Sequence, residues 1–285
     1  VALLQTRIAQ GETEENWRRA ELLFARAMDR EPALVVLPEA FATGVNFIIL
    51  RQMAEPVPGG RTCERLRALA AEHGVHVAAG VLEAGEDGRV YDSALVISPL
   101  GEVLGKYRRR FLWVGERSYV SAGDGPVVVP TGAGRIGLLV GYDLCFPEAC
   151  ATFLGQEVDL AVCTASVFQR LNFSASRLGL ARAMDHHCYF AYANAVGFHP
   201  FANMRYTGGS AVFADPYFLQ VELGDEAHDA LGCLARAGAE DEEVLVADLH
   251  LEALARARRS KLPFRADAAF TLERAPTESL AAGRA

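Results

Sequence analysis

Arg135-Ile-Gly-Leu-Leu-Val-Gly-Tyr-Asp-Leu-Cys-Phe-Pro-Glu148 is the stretch whose reading decides the fold. Its first half is an apolar run of strand length and reads as a buried strand. The second half reads as a sharp turn into a helix. Gly141 stands at the corner, and glycine tolerates the strained dihedrals that such an elbow demands.

On the N-terminal side, Val1 to Gln5 is strand-like, and Trp17, Ala20, Phe24, Ala27 and Met28 then recur at helical spacing with charges between them. Leu34-Val-Val-Leu37 is a short apolar run ending at Pro38, again a buried strand. Cys63, Leu66 and Ala70 mark a second helix closed by Gly74, and Val75 to Val81 returns to strand. Val90 to Ile97, a Pro99-Leu-Gly101 turn and a return towards Tyr107 read as a hairpin. On the C-terminal side, Gly209 to Pro216 reads as a strand into a turn, Val244 to Leu249 as a strand, and a short basic helix runs through Arg259. Helix-flanked and hairpin-linked strands in this alternation predict an α/β fold in which two mixed sheets pack face to face with helices outside. One domain over 1–275 is expected, with a mobile tail at 276–285.

The bulk numbers exclude several function classes. A net charge of −8 argues against a nucleic-acid partner, because phosphate binding needs clustered Lys and Arg, and the run Arg108-Arg109-Arg110 is too short to supply them. No stretch approaches the ~20 apolar residues of a membrane span, and no secretory signal opens the chain, so a cytoplasmic protein is expected. Six cysteines scattered through mostly apolar runs read as reduced thiols. Asp185-His-His-Cys188 matches a lipid-transferase signature by letter, but the membrane spans and zinc ligands of that chemistry are missing. Gly132-Ala-Gly-Arg-Ile-Gly137 has the letters of a dinucleotide loop. Strand pattern follows it, where a pyrophosphate needs a helix N-terminus, so it reads as a hairpin turn. No cofactor and no metal are expected.

Three segments then combine: Leu37-Pro-Glu-Ala-Phe-Ala-Thr-Gly44, Gly105-Lys-Tyr-Arg-Arg-Arg-Phe-Leu112 and Gly141-Tyr-Asp-Leu-Cys-Phe-Pro-Glu148. In this order and spacing they resemble the signature blocks of the nitrilase superfamily, the carbon–nitrogen hydrolases. Gln5, the block Ala181 to Asp185, Gly209-Ser210, Asp215-Pro216 and Ala247-Asp-Leu249 extend the resemblance over nearly the whole chain. It implies an αββα sandwich, usually paired into homodimers or larger assemblies. It also implies a Glu–Lys–Cys triad, in which Glu takes the thiol proton, the thiolate attacks the carbonyl or nitrile carbon, and Lys stabilises the developing charge.

Carried over residue by residue, the glutamate falls on Glu39, the lysine position on Arg109 and the cysteine position on Gly141. A further family glutamate falls on Glu116, and with Tyr142 and Cys145 it is expected around the small-molecule pocket. Lys106, just before Tyr107, is a poor substitute for the lysine. Glycine cannot form an acyl-enzyme. Arginine keeps the charge but, with a pKa of about 12.5 or more, suits binding better than proton transfer. The resemblance therefore leaves three readings: a pocket for an amide, nitrile or carboxylate ligand without Cys-dependent hydrolysis; a noncovalent enzyme using Glu39 as general base and Arg109 as anion stabiliser; or an amidase using Cys145. Glu39 and Arg109 are expected to face each other beneath Gly141, with the vacated side-chain space taken by the guanidinium.

Overall fold

The computed structural model describes residues 1–260 except 152, 154, 170–171 and 224–231. The expected domain end at 275 and the tail at 276–285 lie outside the described residues. In chain order the elements are β1 (Ala2–Gln5), α1 (Thr13–Met28), β2 (Leu34–Leu37), α2 (Leu50–Met53), α3 (Arg61–His73), β3 (His76–Ala84), β4 (Val90–Ile97) and β5 (Val103–Arg108). There follow β6 (Val128–Thr131), β7 (Gly134–Val140), α4 (Pro147–Cys150), β8 (Leu160–Ala165), α5 (Asn172–His186), β9 (Tyr189–Asn194), β10 (Phe198–His199) and β11 (Met204–Arg205). The described part closes with β12 (Ala211–Phe213), α6 (Pro216–Leu223), β13 (Cys233–Arg236), β14 (Glu243–Val246) and α7 (Leu251–Ser260).

Two six-stranded mixed sheets result, ordered β14-β1-β2-β3-β4-β5 and β13-β12-β9-β8-β7-β6. In each, a parallel trio sits inside antiparallel neighbours: β1, β2 and β3 in the first, and β7, β8 and β9 in the second. Side-chain alternation explains the layers. Leu34 and Val36 of β2 pack with Leu138 and Val140 of β7 and Leu160 and Val162 of β8 between the sheets. Val35 and Leu37 face outward against Trp17, Phe24, Leu66 and Ala70 of α1 and α3. On the far side, Leu139, Ala161, Cys163 and Phe190 meet Ala175 and Ala183 of α5. Strands buried on both faces read as unbroken apolar runs for this reason. The fold is the αββα sandwich.

The Gly132 to Gly137 string is the hairpin between β6 and β7, with Thr131 opposite Gly134. The elbow departs from the expected single helix. Gly141–Cys145 is a 3-10 turn, and α4 starts separately at Pro147. Proline disfavours helical backbone in the residue before it, and Phe146 is accordingly extended, at φ −115° and ψ 112°.

Candidate active site

Strand ends gather the site. Pro38 and Glu39 follow β2, Gly141 follows β7 and Ser166 follows β8, all at the C-terminal ends of parallel strands, while Arg109 follows β5 from the antiparallel side. Two backbone features aim Glu39. Ala40 has φ +45°, a left-handed conformation that L residues adopt at a cost of about 1–3 kcal/mol. The chain at Glu39 also crosses so near β3 that a Cβ on Gly80 would lie 2.4 Å from the Glu39 Cα.

Alternation along β5 sorts its cations. Lys106 and Arg108 share one face, where both bind the buried Glu83, Arg108 Nε donating at 3.0 Å, and Lys106 Nζ also donates to the Val57 carbonyl at 3.2 Å. Arg108 and Lys106, with Ser93, hold the Glu83 carboxyl below the usual range against the upward pull of burial. Tyr107 and Arg109 turn the other way. Tyr107 donates its hydroxyl to Asp143 at 2.7 Å, and Asp143 also accepts from the backbone N–H groups of Phe111 at 2.9 Å and Val140 at 3.1 Å. One buried carboxylate thus ties the loop carrying Arg109 to the elbow.

Arg109 is 3% exposed and surrounded by carboxylates. Its Nη1 donates to Glu39 Oε1 at 3.1 Å, and its Nη2 lies 2.9 Å from Glu116 Oε2 and 3.3 Å from Asp92 Oδ2. Burial opposes its charge, but Asp92, Glu39 and Glu116 together raise its pKa further above the ordinary value. Three carboxylates against one cation leave excess negative charge in a dry site. Burial first, and the neighbouring Glu39 second, push the Asp92 carboxyl well above the ordinary aspartate range. Burial and Glu39 thus favour the protonated form of Asp92.

Glu39 Oε1 is anchored by Arg109, and its Oε2 accepts from the Ser166 backbone N–H at 2.7 Å and the Ser166 Oγ–H at 2.8 Å. At Gly141 the backbone has φ +46°, and an ideal Cβ there would lie 2.8 Å from Glu39 Oε2. The space left by the absent side chain is thus closed by the glutamate carboxylate, not by the guanidinium as expected. Ser166 draws that carboxylate across the elbow, while Glu116 and Asp92 hold the guanidinium back.

The structure brings Glu39, Arg109, Glu116 and Gly141 together. It gives Tyr142 and Cys145 no hydrogen bond or ion pair to them. Tyr142 packs edge-on against Phe146, with ring centroids 5.1 Å apart. Cys145 is exposed at the end of the 3-10 turn. Desolvation raises its thiol pKa, with Arg182 opposing, so it has no activated thiolate character. The sequence reading missed Asp92, Asp143 and Ser166. An aspartate amid the apolar Val90–Ile97 run was a readable signal for the first, and its place inside the elbow block for the second; nothing in Thr164-Ala-Ser166 marked the third.

Among the described residues no group of three or more His, Cys, Asp or Glu side chains is arranged to hold a metal ion. No described helix is long and apolar enough to cross a membrane.

The sandwich with its elbow and strand-end glutamate defines a class of fold, that of carbon–nitrogen hydrolases. Residues 1–259 match the carbon–nitrogen hydrolase family, and the chain belongs to it. It is 31% identical over 226 residues to a nitrilase from Pyrococcus abyssi, covering 78% of this chain and 83% of that one. It is 26% identical over 264 residues to a 2-oxoglutaramate amidase from Bacillus subtilis, covering 91% and 94%. Its fold is similar to that of an amidase from Nesterenkonia sp. AN1, solved as a mutant with acrylamide added to the active-site cysteine. That likeness has a TM-score of 0.75 and 23% identity over 90% of this chain and 96% of that one.

Proposed function

We propose that this carbon–nitrogen hydrolase family member has lost cysteine-dependent hydrolysis and uses the strand-end site for a small ligand of the amide or nitrile class. The observation that carries the reading is the elbow: Gly141 offers no nucleophile, and Glu39 Oε2 stands 2.8 Å from where a Cβ would be. Relatives named nitrilase and amidase support the ligand class. A ligand carboxylate is the less suited choice, because Arg109 already serves three carboxylates. That engagement also weighs against Arg109 as an anion stabiliser. Cys145, outside the cluster with a raised thiol pKa, is a poor replacement nucleophile.

A second reading, general-base chemistry by Glu39, is favoured by one contact: its Oε2 already accepts a hydrogen bond from a hydroxyl.

Intact-protein mass spectrometry after quenching with small amides, nitriles and acrylamide tests the main reading. No thioester, thioimidate or thioether is expected on the unmodified chain. Gly141→Cys combined with Arg109→Lys should bring back an acrylamide adduct at position 141. A substrate-dependent mass gain in the unmodified chain that disappears in Cys145→Ala would refute the loss of thiol chemistry.

A further inference from the structure

Among the described residues Ser166 is the one whose hydroxyl bonds to the site glutamate. It ends β8, beside the β7 elbow, and its Oγ and backbone N–H both donate to Glu39 Oε2, at 2.8 and 2.7 Å. The oxygen it occupies is the one that a side chain at position 141 would meet first, 2.8 Å from the ideal Cβ. Glu39, Arg109 and Asp92 are all buried, whereas Ser166 and Glu116 are half-buried, and of these two Ser166 is the one that carries a nucleophile. The two oxygens of Glu39 are divided: Arg109 fixes Oε1, leaving Oε2 to the hydroxyl.

We propose that Ser166 is a catalytic nucleophile, with Glu39 as its base, for acyl transfer from small esters. Rested on the reading that no thiol does chemistry here, the step balances as follows. Ser166 Oγ bonds to the ester carbonyl carbon while its proton passes to Glu39 Oε2. The tetrahedral intermediate collapses, the ester C–O bond breaks, and the leaving alcohol takes the proton from Glu39. Water then gives a proton to Glu39 and attacks the acyl carbon, the C–Oγ bond breaks, and Ser166 recovers its proton. The products are an alcohol and a carboxylic acid. Esters are favoured over amides because an alkoxide is a far better leaving group than an amide nitrogen, so the single proton that Glu39 carries from Ser166 to the leaving oxygen suffices. Arg109 is a positioning residue that anchors Glu39 Oε1 and so turns Oε2 towards Oγ, and Asp92 holds the guanidinium from its other side.

The test is burst labelling of the full chain with p-nitrophenyl acetate and with a fluorophosphonate, read by intact mass and peptide mapping. The acyl or phosphonyl group should map to Ser166, be absent in Ser166→Ala, and form on the order of 100-fold more slowly in Glu39→Gln. Ser166→Cys preserves a donor to Glu39 and should move iodoacetamide labelling to position 166, which keeps the test decisive if the alanine variant folds poorly. Label mapping only outside Ser166, or none with either reagent, would overturn the Ser166 assignment while leaving the loss of thiol chemistry intact. A thioester on a native cysteine would overturn both.

Discussion

At the scale of single residues, the site is decided by how three carboxylates share one guanidinium. Removing the cation leaves them facing one another in a dry pocket, and an uncompensated buried charge typically destabilises by ~3–5 kcal/mol. Arg109→Ala should therefore lower the urea midpoint by a difference of that size. Glu39→Gln should lower it by less, about 1–3 kcal/mol, since Gln keeps one acceptor oxygen for either Arg109 or Ser166 while Glu116 still neutralises the guanidinium. Equal losses would show that the pairing is not what holds the site. Asp92 gives a second prediction, with a definite sign. Its carboxyl is raised in the folded state by burial and by Glu39, so its stabilising contribution is complete below the ordinary aspartate value of 3.8 and is lost as pH rises through the folded value. Asp92→Asn cannot titrate. Stability measured from pH 4 to 8 should fall less steeply in that variant than in the unmodified chain, and parallel curves would refute a protonated Asp92.

At the scale of elements, legibility followed periodicity. The β2 and β7 runs were readable because both of their faces are buried, and α1 and α3 because one face packs while the other is wet. The break at Phe146-Pro147 was less legible. An elbow followed by apolar and acidic residues looks like one helix, and only the backbone restriction before proline splits it into a 3-10 turn and a separate four-residue helix. The geometry at Gly141 was half legible. A positive φ could be inferred from glycine at a corner, but the occupant of the vacated space could not, because it depends on Ser166, 25 positions further along the chain and brought alongside only by the parallel pairing of β7 with β8. Contacts set by strand register across a sheet leave no local pattern to read.

At the scale of the whole molecule, the outer surface raises the question of assembly, which the resemblance leads us to expect as a homodimer. His187 Nδ1 and Asp215 Oδ2 are 2.7 Å apart, which brings the end of α5 to the start of α6. Beside that junction Met184 of α5 and Tyr217 of α6 are 46% and 54% exposed, large apolar side chains on the molecule's surface. A standard interface buries about 800 Å² per partner, with aromatic residues and methionine enriched at its centre, so this face has suitable chemistry for pairing with a second copy. Light scattering at micromolar concentration should then give twice the 30.8 kDa chain mass. Tyr217→Glu would place a charge at the seam and should shift the species towards monomer without altering the Glu39–Arg109 site, which lies at the strand ends. A monomeric mass for the unmodified chain would refute the dimer, and a dimer indifferent to Tyr217→Glu would place its contact elsewhere on the surface.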